Sequence, residues 1–146
     1  LLARDPPLEV HVDRVQTTYV LIILFVNAIE ACANAETAEP EVRIQLRSHA
    51  SEQYLVLSVS DNGPGLPEGD PENVFKRFFT TKQHGFGFGL AICRDVIERQ
   101  RGKIQAKNNP VAGCTFTFSV LLQNDEAEAE TRSLDDAADD LMDDAD

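Results

Sequence analysis

Two glycine clusters about 20 residues apart constrain this chain more than any other feature in it. The first, from Asp61 to Gly65, reads D-N-G-P-G; the second reads G-F-G-F-G-L-A-I and carries Gly85, Gly87 and Gly89. Glycines on either side of a proline give a sharp turn whose backbone can approach a ligand closely. Glycines that open a helix leave several N–H groups free at its positive end, an arrangement that suits phosphate. Either cluster alone is ordinary. Together, and with an asparagine-bearing helix upstream, they are a much stronger sign of a phosphate-binding site.

The segments between and around the clusters follow two periods. Asp13 offers an N-cap, and Val15, Tyr19, Ile22, Ile23 and Val26 follow at helical spacing that continues through Ala33, so the spacing predicts a helix over 14–35. Its middle is apolar on nearly every side, which calls for a sheet beneath it. Asn27 stands out there, because Asn is a poor helix former and a buried amide needs partners. Residues 41–47 and 53–60 alternate cleanly across a short polar link and predict a hairpin that delivers Asp61 to the lip of the sheet. Residues 66–84 lose all periodicity apart from Val74-Phe75 and Phe78-Phe79, and are expected to form a moving segment. A second helix is expected over 90–101, closed by Gly102, followed by strands over 103–107 and 114–122. A weak alternation over 8–12 is consistent with a short edge strand.

Charge matters only when divided by position. Of the formal −12, residues 123–146 hold 11 acids and one base, leaving 14 acids and 12 bases over 1–122. The folded part is nearly balanced and nothing in it points to nucleic acid. The tail has acid, alanine and little apolar area, so disordered chain or a frayed helix is expected over 123–146. Cys32, Cys93 and Cys114 are too widely spaced for a zinc cluster and read as small reduced packing residues. The longest apolar run, Val20 to Val26, is too short to cross a bilayer, and no signal peptide precedes it; the expected setting is cytoplasmic.

The helix motif N-A-I-E-A, the turn D-N-G-P-G, the segment V-F-K-R-F-F-T-T-K and the loop G-F-G-F-G-L-A-I resemble the N, G1, F and G2 boxes of sensor histidine kinases, in the same order. G-C-T-F-T-F resembles the strand that closes the same fold. The resemblance covers 8–122 and implies an α+β fold: the two-layer α/β sandwich shared with gyrase, Hsp90 and MutL (the GHKL group). In that fold a mixed, mostly antiparallel sheet packs on helices under a mobile ATP lid. The implied organisation is an ATP-binding catalytic domain over 1–122 followed by the acidic tail.

What the resemblance implies for individual residues is specific. Asp61 accepts from the adenine amine, with Gly63 and Gly65 bringing the turn against the purine. Asn27 is the Mg2+ ligand and a catalytic residue, and Mg2+ typically keeps few protein ligands. Asn34, one turn and more beyond it, joins the nucleotide set. Lys76, Arg77 and Lys82 supply lid cations for phosphoryl transfer, Lys82 as a catalytic group. Gly85, Gly87, Gly89 and Leu90 give backbone donors to phosphate, and Thr115 faces the adenine. The implied activity is transfer of the γ-phosphoryl group of ATP to a histidine on a separate dimerisation and phosphoacceptor domain, and through it to a response regulator. The parent protein is then homodimeric and the domain alone monomeric. His11, His49 and His84 sit in a presumed strand, a hairpin loop and the lid, so the acceptor lies elsewhere.

Two residues depart from the family pattern: Phe88, where Leu is usual, is a mild swap, and Ile23 matters more. The family commonly reads N-x-x-x-N, and Ile23 stands where the earlier Asn belongs. In gyrase-like relatives that place holds the Glu that activates water, so gyrase-type hydrolysis is not expected. Two other readings share these motifs: an anti-sigma-factor serine kinase, and a degenerate pseudokinase module that binds nucleotide without transfer.

Overall fold

The computed structural model describes residues 10, 12–48, 54–80 and 86–121. The expected tail over 123–146 lies outside them, as do most of the edge strand expected over 8–12 and the loop residues Lys82, His84 and Gly85. Of that edge strand only Val10 is seen paired, as an isolated bridge.

Helix α1 (Arg14–Asn34) opens on Asp13, whose carboxylate accepts from the Gln16 N–H at 2.9 Å, so one of the four orphan donors of the first turn is satisfied. Strands β1 (Val42–Ser48) and β2 (Tyr54–Asp61) form the hairpin. A five-residue 3-10 helix, Pro71–Phe75, follows, then α2 (Gly89–Arg99), β3 (Ile104–Asn108) and β4 (Cys114–Leu121). The sheet order is β1-β2-β4-β3, and all three pairings are antiparallel. This is an α+β arrangement of two helices on one face of an open sheet.

Register decides which side chains meet. Val59 pairs with Ile44 and with Phe116, and Leu57 with Leu46 and Phe118, so the apolar alternation of three strands falls on the helix side. The opposite face is polar: Ser58 and Thr117 hydroxyls lie 3.1 Å apart, and those of Thr115 and Ser60 2.8 Å apart. Helix α1 contributes one stripe to the core, Val20, Leu24, Ala28 and Cys32. It is long and apolar enough to cross a membrane by length and composition, and this one stripe packs it on the sheet while only 22% of its apolar window is buried. Val15, Tyr19, Ile22, Val26 and Ile29 on the far side are exposed. The helix covers β2 better than β1, which leaves Ile44 and Leu46 about half exposed although they face the helix side.

Within the aperiodic region over 66–84, Pro71–Phe75 forms the 3-10 helix. Asp70 accepts from the Glu72 N–H at 3.0 Å and Pro71 starts the turn, the residue pair that favours a helix start. Phe75 is buried edge-on to Phe116 at 6.1 Å, and the Arg94 guanidinium lies 4.0 Å from its ring centroid. Arg94 is in turn paired with Glu72 at 2.6 Å.

Cys93 on α2 has no exposed surface, and burial pushes its thiol pKa from 9.0 up to about 12. A thiol that ionises more easily in the unfolded chain stabilises the fold fully below pH 9, and this contribution is lost as pH rises from 9 toward 12. The unfolding free energy from urea titration should therefore fall steadily between pH 9 and 11, by about 1.4 kcal/mol per pH unit for this group. A flat profile would refute the coupling.

Candidate functional site

The two helices run antiparallel, and that sets the site. Gln100 at the C-terminal end of α2 accepts from the Asp13 N–H at 2.6 Å and from the Thr17 hydroxyl at 3.3 Å. At the other end, Ile23 Cγ2 lies 3.4 Å from where a Cβ on Gly89 would sit. The N-terminus of α2 thus abuts the middle of α1. Two turns along α1 from Ile23, the backbone carbonyl carbon and Cβ of Ala31 lie 3.2 and 3.3 Å from the Cβ position of Gly63. Ile23, Asn27 and Ala31 are spaced four residues apart and lie on one side of α1. Half-buried Asn27 therefore stands between the α2 N-terminus and the D-N-G-P-G turn. Here Ile23 is a packing residue that seats α2, which is why an apolar group is accommodated.

Asp61 is the only buried charged residue among those described, with 5% of its surface exposed. Its Oδ1 accepts from the Gly63 N–H at 2.9 Å and its Oδ2 from the Cys114 thiol at 3.3 Å. Burying an ionised carboxylate is costly unless donors surround it, and two short-range donors do so here. Asn62 fixes the turn from outside: its Nδ2 donates to Glu39 O at 2.7 Å and its Oδ1 accepts from the Glu41 N–H at 2.8 Å. Asn108 Oδ1 accepts from the Leu66 N–H at 2.7 Å, and half-buried Gly65 packs against that same side chain.

At its start, α2 has no side-chain cap. Phe88 at its N-cap supplies no side-chain acceptor and no acidic residue occupies the first turn. The first-turn donors, those of Gly89 and Leu90 among them, receive no side-chain cap, and a helix start of this kind suits an anion. Gly87 precedes them with φ of +68°, and its carbonyl accepts from the Phe78 N–H at 2.9 Å. A Cβ on Gly87 would lie 2.5 Å from the Phe78 carbonyl carbon, so this glycine lets the segment after the 3-10 helix close onto the α2 loop. Phe78 itself takes φ of +67° and stacks edge-on to Phe88 at 4.8 Å. Gly87→Ala should part the two segments, cutting nucleotide affinity about fivefold while leaving the thermal midpoint within a few degrees. Unchanged affinity would show that the contact does not shape the site.

Not every expected residue joins this group. Thr115 lies on the polar face of the sheet, where its hydroxyl donates to Asn109 Oδ1 at 2.6 Å and lies 2.8 Å from the Ser60 hydroxyl, away from the Asp61 carboxylate. The residue before it, Cys114, faces Asp61 instead. Asn34 is exposed at the last turn of α1. Lys76 is exposed at the C-cap of the 3-10 helix, and Arg77 is exposed and 3.5 Å from Asp95 on α2. An ion pair that long and that exposed contributes little and leaves the cation free to swing. Cys114 was open to detection only through pairing register, since β2 and β4 place it opposite the end of β2 on the buried face.

The sequence over residues 12–124 matches the family of histidine kinase-, DNA gyrase B- and HSP90-like ATPases. The chain is 36% identical over 120 residues to the sensor histidine kinase TmoS of Ectopseudomonas mendocina, covering 82% of this chain and 12% of that protein. It is 40% identical over 117 residues to the sensor protein FixL of Bradyrhizobium diazoefficiens, covering 80% of this chain and 23% of that protein. The chain thus spans less than a quarter of the length of these relatives. Among solved structures, the catalytic domain of histidine kinase ThkA in a nucleotide-free form superimposes with a TM-score of 0.66 at 37% identity, covering 77% of this chain and 70% of that one. The mycobacterial sensor histidine kinase MprB shares the fold, with a TM-score of 0.68 at 24% identity over 80% of this chain and 77% of that one. With the family's motifs folded around one buried carboxylate and one uncapped helix start, the chain belongs to the histidine kinase-, DNA gyrase B- and HSP90-like ATPases.

Proposed function

We propose that this chain is the ATP-binding catalytic domain of a sensor histidine kinase. In this reading it passes the γ-phosphoryl group of ATP to a histidine on a separate dimerisation and phosphoacceptor domain, from which a response regulator receives it. The observation that carries this reading is the placement of a buried, donor-held carboxylate and an uncapped helix N-terminus on either side of Asn27. The buried carboxylate suits the exocyclic amine of adenine, and the helix start suits the triphosphate. The names of relatives such as the sensor histidine kinase TmoS and the sensor protein FixL favour this over a serine kinase or a nucleotide-binding module without transfer.

Asp61 reads the base while Gly63 and Gly65 hold the turn close to it. Gly85, Gly87, Gly89 and Leu90 offer main-chain donors to phosphate, with Gly85 lying outside the described residues. Asn27 has a neutral amide oxygen, a donor type that fits a magnesium ion already chelated by triphosphate oxygens. Bound there, Mg2+ would neutralise phosphate charge and favour attack at the γ-phosphorus. Lys76 and Arg77, with Lys82 outside the described residues, supply positive charge from the lid once it closes. Thr115 has no part in this site. The parent protein acts as a homodimer on an ATP-rich cytoplasmic face, whether or not it is anchored to a membrane, and needs no nucleic acid.

The test is transfer itself. With γ-labelled ATP, Mg2+ and a helical hairpin bearing an acceptor histidine, the label should move to the hairpin as an acid-labile, alkali-stable phosphate. Chelating the metal should abolish it. Acid-stable label, or tight nucleotide binding with no transfer to any acceptor hairpin, would overturn the reading.

A further inference from the structure

The D-N-G-P-G turn is held from beneath by two thiols. Cys114, the first residue of β4, donates to Asp61 Oδ2 at 3.3 Å, and Cys32, in the last turns of α1, donates to Asn62 Oδ1 at 3.5 Å. Both cysteines are buried and free. Asp61 has two oxygens and two protein donors, one on each: the Gly63 N–H on Oδ1 and the Cys114 thiol on Oδ2. A carboxylate can accept about four hydrogen bonds, so each oxygen keeps capacity for a ligand while its direction is fixed.

We propose that Cys114 is a positioning residue for base recognition, its thiol locking the rotation of the Asp61 carboxylate so that one lone pair of a fixed oxygen faces an incoming exocyclic amine. This rests on the adenine-nucleotide reading above. A thiol performs this task only while it keeps its proton. Burial, and then the Asp61 charge beside it, raise the Cys114 pKa far above the ordinary thiol value, so the proton stays on sulfur throughout the physiological range. The same shift makes Cys114 a poor nucleophile, which separates it from the reactive cysteines of redox sites. Gly113 just before it packs on the Asp61 main chain, so the carboxylate is restrained at its backbone by one residue and at its tip by the next.

The experiment compares ATP and GTP dissociation constants for the wild type, Cys114→Ala, Cys114→Ser and Asp61→Asn, each with its thermal midpoint measured without nucleotide. Cys114→Ala should weaken ATP about five- to tenfold and narrow the ATP-over-GTP ratio, since a hydrogen bond to a charged acceptor is lost. Cys114→Ser keeps a donor and should stay within about twofold of wild type in both. The S–H infrared stretch assigned by difference from Cys114→Ala should move toward the free-thiol position in Asp61→Asn. If Cys114→Ala and Cys114→Ser lose affinity equally, or if neither changes the base ratio while Asp61→Asn does, the positioning role is overturned and the nucleotide reading stands. If Asp61→Asn binds ATP as the wild type does, the nucleotide reading falls and takes this inference with it.

Discussion

Asp61→Asn should lower the affinity for ATP by about tenfold to a hundredfold, because a buried charged acceptor is lost and its partners are left facing a new donor. The two carboxylate oxygens each accept from the protein already, one from the Gly63 N–H and one from the Cys114 thiol. An amide at this position can satisfy only one of them, and its NH2 group must point at the other donor or at the exocyclic amine of the base. Shape hardly changes, so the domain should still fold, with a modest fall in thermal midpoint. Titration calorimetry with ATP against GTP separates the two contributions: the loss should be large for ATP and small for GTP. Equal losses for both nucleotides would mean that Asp61 serves the turn and not the base.

The residues that make this expectation possible were legible in the sequence because they are singular. A D-N-G-P-G run, an Asn in the middle of an apolar helix and a glycine-rich helix start each break a local preference, and breaks of that kind collect at sites where the backbone must meet a ligand. Element positions were legible too, since the strand and helix periods are distinct: α1 and both strands of the hairpin begin within a residue of where spacing puts them. Where the chain hid its arrangement, the cause was tertiary. Thr115 and Cys114 are neighbours, and a single step along a strand moves a side chain to the other face, so naming the strand did not name the contact. Alternation in β1 set the face of Ile44 and Leu46, but their exposure depends on how far α1 reaches across the sheet, which no local pattern encodes. The P-E-G-D-P-E-N stretch contains an N-cap and a proline start for the 3-10 helix, a signal masked by the surrounding breakers.

Ile23 shows the same limit from the opposite direction. As a departure from the family motif it suggested impaired chemistry, yet its methyl group lies where α2 begins, against the side of Gly89 that carries no Cβ. Apolar packing at that point fixes the helix start relative to Asn27.

Gly113→Ala should be the most destabilising small substitution near the site. Gly113 has φ of +77°, where an L side chain is strained, and a Cβ there would lie 2.0 Å from the Asp61 carbonyl oxygen and 2.7 Å from the Asn62 Cα. Neither neighbour is the movable end of a side chain; both are backbone, and the Asp61 carbonyl also accepts from Asn109 Nδ2 at 2.8 Å. The strained backbone conformation and the forced overlap together should cost about 2–4 kcal/mol, or roughly 10 °C in thermal midpoint for a domain of this size. Relief can come only by moving the Asp61–Asn62 main chain or by opening the start of β4. Either movement shifts the carboxylate, so nucleotide affinity should fall along with stability, whereas Asp61→Asn lowers affinity with little loss of stability. Thermal unfolding and ATP titration on the same Gly113→Ala preparation decide the point: a midpoint within 2 °C of wild type, or a lost midpoint with full affinity in the surviving fold, would show that the turn and the closing strand are not mechanically joined.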